Sequence, residues 1–421
     1  MRFYSTNRKS DAVDFRNGVV RSLPSDNGLY FPESIPDIKG VYTASNLDLH
    51  TLGFEILRPF CAGIIPDSKL AEIVEDTLAF DIPVVPVAGG ISALELFHGP
   101  TYAFKDVGAR FLARCLGYFH ENEDKEVTIL VATSGDTGGA VASGFLGVDG
   151  VSVIILYPSG KVSELQEKQL TTQGQNIKAL EIDGTFDDCQ DLVKKAFLDE
   201  ELNKALNLSS ANSINIARWI PQSIYHGWAS LQVEKLNTVA VPSGNYGNLA
   251  AGILAKKMGA PIQSFVAATN ANDVVPRYLE SGSYEPRPTI STYANAMDVG
   301  KPSNFPRLLA LYDSDFKALK LDIAGFSMSD DEILETIHNC WQQNQYLLDP
   351  HGAIGFKSLA NRSGNNLFLE TAHPCKFDDV IRKVRSDYEL PGFTSELMGK
   401  EKEATPMNAK FDLFKDYLLQ S

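Results

Sequence analysis

Positive charge is what this chain is short of. Its 421 residues carry 38 Lys and Arg against 53 Asp and Glu, a formal charge of −15 at pH 7. That balance excludes the broad basic footprint that nucleic acid or an anionic membrane surface requires. Cysteine is sparse too: Cys61, Cys115, Cys189, Cys340 and Cys375 are scattered, with no CxxC pair and no His–Cys spacing suited to zinc. Neither a disulfide framework nor a metal centre is therefore expected, and reduced thiols in a cytoplasmic protein are. Long hydrophobic runs are missing. Those present, such as Val151 to Tyr157, are strand-length and far below the ~20 residues a membrane helix needs. The opening MRFYSTNRKSDAVDF has charges where a secretory signal would have an apolar stretch. No fixed-period repeat points to a solenoid or propeller. HExxH, GxSxG, paired-glutamate spacing, the Walker loop and GxGxxG are absent from the sequence, so metalloprotease and serine-hydrolase readings have nothing to rest on.

What is present is a strand-then-helix rhythm. Val127 to Ala132 (VTILVA) reads as a buried strand, followed by TSGDTGGA and a small-residue helix through Phe145. Val151 to Leu156 and Ile177 to Ile182 are the next strands, each with an amphipathic helix after it, the second carrying Leu192, Val193, Ala196 and Phe197 on one face. The pattern resumes with Thr238 to Val241, the turn PSGNYGN, a helix Leu249 to Met258 closed by Gly259, and strands Ile262 to Ala268 and Asn366 to Glu370. Such alternation predicts an α/β fold with parallel sheets covered by helices on both faces. Before Leu94 the chain is punctuated by prolines, although Asp67 to Phe80 reads as one helix. The expected organisation is an N-terminal region 1–93 and two α/β domains, 94–235 and 236–421.

Five stretches carry chemistry-bearing residues. In FHGPTYAFKDVGARFLARCLGYF, Lys105 falls at the entrance of a helix whose buried face is Gly108, Phe111, Leu112, Cys115 and Phe119. A helix N-terminus and apolar neighbours both favour its neutral, nucleophilic amine; a solvated pair with Asp106 is the alternative. TSGDTGGA, in strand-to-helix position, offers glycines and free N–H groups for a carboxylate or phosphate, or is a plain tight turn. PSGNYGNLAAG repeats that arrangement with Ser243, Gly244, Asn245 and Gly247, and strand C-termini are where open α/β sheets bind ligands. In ETAHPCKF, Thr371 or His373 faces the same crevice, with His373 equally readable as a structural histidine. In ANSINIARW, with Lys161 upstream, Asn212, Ser213, Asn215 and Arg218 form a polar set for a second anion, or Asn212 or Ser213 caps a helix.

In this order the stretches resemble threonine synthases of the longer bacterial and fungal form, pyridoxal-phosphate enzymes of the tryptophan-synthase-β fold group. HGPTYAFKD is similar to the family's cofactor-lysine motif, TSGDTG to its central loop and SGNYG to its phosphate cup. The likeness extends through FYST, NGLYFPESIP, ILYPSGKVSELQEKQ, NSINIAR, ATNANDVVPR, NAMDV and TAHPCKF. It implies fold type II, with two open, mostly parallel sheets flanked by helices plus an N-terminal subdomain. It also implies that Lys105 holds pyridoxal 5'-phosphate as a Schiff base and is the catalytic residue. Ser243, Gly244, Asn245, Tyr246 and Gly247 would cradle the cofactor phosphate, with Thr371 at the pyridine nitrogen. Thr133, Ser134, Gly135, Asp136 and Thr137 would meet the substrate carboxylate, and Lys161, Ser213, Asn215 and Arg218 the substrate phosphate. One departure is Asn248, where the family usually has Asp.

The implied reaction converts O-phospho-L-homoserine and water to L-threonine and phosphate, the last step of threonine biosynthesis. A phospho-lyase on the same scaffold, releasing 2-oxobutyrate, and a serine or threonine dehydratase are the alternatives, and a non-catalytic relative would have lost Lys105 or the cup. The expected partner is the small-molecule substrate alone, without nucleic acid, membrane or metal, for a monomer or homodimer.

Overall fold

The computed structural model describes residues 1–44, 47–121 and 126–420. A short antiparallel pair, β1 (Phe3–Ser5) and β2 (Tyr30–Pro32), lies in the N-terminal region. The remaining strands are β3 (Val84–Ala88), β4 (Ile91–Glu95), β5 (Val127–Ala132), β6 (Val151–Pro158), β7 (Ile177–Asp183), β8 (Asn207–Ser210), β9 (Leu236–Pro242), β10 (Ser264–Thr269), β11 (Ile323–Ser327), β12 (Asn365–Glu370) and β13 (Thr405–Asn408). They form a six-stranded sheet in the order β11-β10-β9-β12-β4-β3 and a five-stranded sheet in the order β13-β7-β6-β5-β8. Every neighbouring pair in these two sheets is parallel except β3 with β4.

Alternate residues of each central strand enter different cores, which is how a sheet buried on both faces is built. In the five-stranded sheet, Val127, Ile129 and Val131 pack with Phe111, Leu112 and Cys115 of helix Lys105–His120. Leu130 and Ala132 turn the other way, toward Cys189, Leu192 and Val193 of helix Phe186–Leu198 and Phe414 of helix Phe411–Gln420. In the six-stranded sheet, Val239 and Val241 join that first core, so one apolar cluster runs between the sheets. Ala240, Val266 and Phe368 face Ile333, Ile337 and Ile354 on the far side. Truncating a fully buried ring such as Phe111 to alanine would cost about 3–5 kcal/mol.

The sheets cut across the expected regions. The boundary drawn at 93 falls inside β4, which hydrogen-bonds to β12 with Glu95 opposite Glu370. Strand β13, from the far end of the chain, pairs with β7. Both β3 and β13 are short edge strands containing a proline, Pro86 and Pro406; an edge tolerates the missing donor, while local sequence reads it as a break. The helix expected to reach Phe80 ends at Thr77, with Leu78 as its C-cap.

Candidate active site

Two chain segments distant in sequence are fastened together where β4 and β12 end. The Leu96 N–H donates to the Glu370 carbonyl at 3.0 Å, the Phe104 N–H to the Thr371 carbonyl at 2.8 Å, and the His373 N–H to the Tyr102 carbonyl at 2.9 Å. Tyr225 adds its hydroxyl to the Phe104 carbonyl. These bonds fix the start of helix Lys105–His120, whose first residue is the half-buried Lys105. Burial pulls the Lys105 amine down from 10.5 to about 8; the Asp136 carboxylate opposes this, while Arg218 and Lys376 assist it. An amine so placed is partly neutral near physiological pH, as a nucleophile or proton acceptor must be. The surface-pair alternative with Asp106 is not what forms: Asp106 is buried and accepts from the Thr101 N–H at 2.9 Å and from its hydroxyl. Burial lifts that carboxyl to about 6 against those bonds.

The TSGDTG loop opens helix Asp136–Phe145. The Thr133 hydroxyl accepts from the N–H groups of Gly135 and Gly138 at 3.0 and 2.9 Å, and is consumed in shaping the loop. Gly135 has φ 138°, and a Cβ there would lie 2.6 Å from the Gln166 side chain, so both conformation and space demand glycine. The first amides of the helix, including those of Asp136 and Thr137, have no intrahelical acceptor, while Ser134 and Thr137 are half-buried beside them. Asp136 itself is engaged: its Oδ1 accepts from Lys376 Nζ and Gln166 Nε2, each at 2.9 Å. Burial alone would raise the Asp136 pKa, but the charges of Lys376 and Lys105 and these hydrogen bonds overcome it and hold the carboxyl well below the usual range.

The SGNYG segment follows β9. Tyr246 adopts φ 62° as the N-cap of helix Gly247–Lys257, turning the preceding backbone across the helix N-terminus, a ready anion site. The Ser243 hydroxyl donates back to the Val241 carbonyl at 2.8 Å, and exposed Asn245 accepts from the Ser303 N–H and hydroxyl at 3.3 and 3.0 Å. A Cβ on Gly244 would meet Met297 Cα at 2.7 Å. Asn248 points into the core, its Oδ1 2.8 Å from His226 Nε2. Burial drops His226 to about 4, with the Asn248 bonds opposing; the amide thus faces a neutral ring.

The third group divides. Arg218 is buried, donates to the Ala211 carbonyl and leaves its Nε without a partner; burial lowers it to about 10, opposed by Tyr225 and Asp106. Asn215, not Asn212 or Ser213, caps the short helix Ile216–Trp219: its Oδ1 accepts from the Ala217 N–H at 2.9 Å and its Nδ2 donates to the Val19 carbonyl at 2.8 Å. Ser213 Oγ lies 3.5 Å from Asn304 Nδ2, and Lys161 is exposed and joined by no side-chain bond to the other candidates among the described residues. His373 caps the turn that follows it, accepting from the Cys375 N–H at 3.1 Å between the rings of Phe97 and Phe393. Sequence reasoning missed Lys376, Gln166 and Gln169, although all three stand inside the stretches quoted above. Set among other polar residues, in SELQEKQ and HPCKFDD, they carry no local signal that separates them from solvated side chains.

Comparisons with known proteins agree along the chain. Residues 2–78 match the family model for the threonine synthase N terminus, 93–366 that for pyridoxal-phosphate dependent enzymes, and 353–418 that for the threonine synthase C-terminal part. The chain is 42% identical over 432 residues to threonine synthase of Haemophilus influenzae, covering 100% of both, and 44% identical over 401 residues to that of Escherichia coli, covering 93% of both. The crystal structure of threonine synthase with bound pyridoxal phosphate from Brucella melitensis superposes with a TM-score of 0.93 at 34% identity, covering 100% of this chain and 99% of that one.

Proposed function

This chain belongs to the threonine synthase family of pyridoxal-phosphate dependent enzymes, and from that premise we propose how its residues divide the work. It converts O-phospho-L-homoserine and water to L-threonine and phosphate by γ-elimination and β-hydration, with pyridoxal 5'-phosphate as cofactor. The residues fit that cofactor. A half-buried lysine with a depressed pKa stands for its aldehyde, a helix N-terminus behind a left-handed Tyr246 for its phosphate, and the neutral hydroxyl of Thr371, on the segment bonded to Phe104, for its ring nitrogen. When bound, pyridoxal phosphate supplies the electron sink that carbanion chemistry at the substrate's Cα requires.

In this reading Lys105 would hold the cofactor, and its amine, when free, takes the proton from Cα and moves protons at Cβ and Cγ. The backbone donors of 244–247, beside Ser243 whose own N–H is bonded to the Ala268 carbonyl at 2.8 Å, hold the cofactor phosphate and thereby fix where the amine of Lys105 can reach. The amides and hydroxyls of Ser134 and Thr137 receive the substrate carboxylate and aim the Cα–H bond at Lys105. Arg218, with its free Nε and no carboxylate partner among the described residues, receives the leaving phosphate together with Ser213. Lys161 and Asn215 are its further contacts, Asn215 through the helix start it caps. Thr133, Gly135 and Asp136 shape the loop. On the division 1–93, 94–235 and 236–421, the middle region carries the amine and the last the cup. The enzyme works in the cytoplasm as a monomer or homodimer; light scattering would test the latter. The placing of Lys105 at a helix start held by the Phe104–Thr371 and Tyr225–Phe104 bonds is the observation that carries the proposal. Its test is to follow phosphate release from O-phospho-L-homoserine and identify the carbon product. Threonine in step with phosphate supports it; 2-oxobutyrate would move the chain to the phospho-lyase reading.

A further inference from the structure

Lys376 is the most deeply placed cation near the site. It has no exposed surface, and its Nζ donates to three groups on three elements: the Thr101 carbonyl at 2.8 Å, Gln169 Oε1 at 2.9 Å and Asp136 Oδ1 at 2.9 Å. Gln169 completes a ring by donating to the same Thr101 carbonyl at 3.1 Å, and the Ser163 hydroxyl donates to the backbone carbonyl of Lys376 at 3.0 Å. The turn leading to Lys105, the helix behind the TSGDTG loop and the loop itself are therefore joined at one ammonium group.

Asp136 is the element of this arrangement that needs explaining. A buried carboxylate in the first turn of a helix opposes any anion brought to that helix start, and it attracts the nearby Lys105 ammonium. Both effects work against the site, and a paired cation removes both. We propose that Lys376 is a positioning residue for this reaction: by neutralising Asp136 and tying it to Gln169 and Thr101, it leaves the helix start open to the substrate carboxylate and keeps Asp136 from pairing with Lys105. The charged and titratable groups facing this centre are Asp136 on its helix, Asp106 and Lys105 on theirs, Arg218 and Tyr225 from the neighbouring helices, and Cys375 beside Lys376. Asp136 and Lys376 act on Lys105 with opposite signs, and Asp136 is the stronger of the two.

The inference rests on Lys105 being the reactive amine, and the test separates the two. Lys105 in the full chain freed of cofactor is acetylated competitively across pH 6.5–10, its peptide quantified by mass spectrometry, with and without added pyridoxal phosphate. Protection by the cofactor in the parent chain checks the role of Lys105 alone. At pH 7, below the Lys105 pKa of about 8, Lys376→Met should slow labelling of Lys105 at least about threefold, and Asp136→Asn should speed it by a similar factor, because one removes a repelling charge and the other an attracting one. In the holoenzyme, Lys376→Met should raise KM for O-phospho-L-homoserine more than it lowers kcat. If Lys376→Met does not fold, the double variant Asp136→Asn/Lys376→Met, which buries no charge there, should label at least as fast as the parent. Labelling that moves the same way in both single variants or in neither, or a double variant slower than the parent, overturns the inference.

Discussion

Substituting Gly244 tests the phosphate cup most directly. The added Cβ would lie 2.7 Å from Met297 Cα and 3.2 Å from the Ala296 carbonyl oxygen, both backbone atoms. That segment cannot retreat cheaply. Met297 is buried in the core behind the six-stranded sheet, and the Ala296 N–H donates at 3.3 Å to His351 Nε2, whose Nδ1 is held 2.5 Å from the buried Asp349. The displacement therefore falls on residues 243–247, which include the strained left-handed Tyr246. Overpacking of this kind costs about 1–3 kcal/mol. If it is taken up by the cup, the same energy appears as a loss of roughly 5- to 150-fold in affinity for pyridoxal phosphate. The assay is a fluorescence titration of cofactor-free Gly244→Ala with pyridoxal phosphate, beside its urea unfolding curve. Gly40→Ala, whose Cβ would meet nothing within 4 Å, serves as the control. A Gly244→Ala chain that stays folded and binds the cofactor as the parent does would refute the placing of the phosphate at this loop.

Three further outcomes are expected. Lys105→Ala should abolish threonine formation while leaving the circular dichroism spectrum unchanged; full activity would end the assignment of Lys105. The rate at which the cofactor-free chain captures pyridoxal phosphate should climb with pH and level off above about 8, where the amine is neutral; a plateau already reached at pH ~6.5 would contradict the electrostatics described for Lys105. His226, lowered from 6.5 to about 4 by burial, binds its proton more readily in the unfolded chain. It therefore contributes stability that is whole above pH 6.5 and falls as pH drops toward 4, by about 3 kcal/mol in all. Urea midpoints of His226→Gln across that window should be correspondingly flatter than the parent's, and equal slopes would show that His226 is not the group responsible.

The central strands and the three glycine-rich or lysine-bearing turns were legible because their causes are local. VTILVA and VSVIIL are buried on both faces and need no alternation, and Gly135 and Gly247 stand where a strand gives way to a helix. The hairpin of β3 and β4 was not legible, because Pro86 reads locally as a break and its acceptance depends on the strand's lying at an edge. The site shows the same division. Lys105 announces itself by its helix entrance, whereas Lys376 looks like any charge near a turn until Thr101, Gln169 and Asp136 converge on it from 207 to 275 residues away in sequence. Asn215 shows the same thing: its side chain caps a helix and bonds the Val19 carbonyl, and the second partner lies 196 residues away in sequence.

The seam that joins Phe104 to Thr371 has a consequence for how the protein is made. Strand β12 sits between β9 and β4, so the β3–β4 hairpin has no sheet to join until residue 370 has been synthesised. The amine of Lys105 emerges from the ribosome early, but the backbone that fixes its helix start emerges some 270 residues later. A nascent or prematurely ended chain thus exposes the lysine without the frame that orients it. Cofactor capture by such a chain would be left to an ordinary, unoriented amine. The oriented helix start that the proposed role of Lys105 requires is in this way complete only once translation has passed β12, the last strand of the six-stranded sheet.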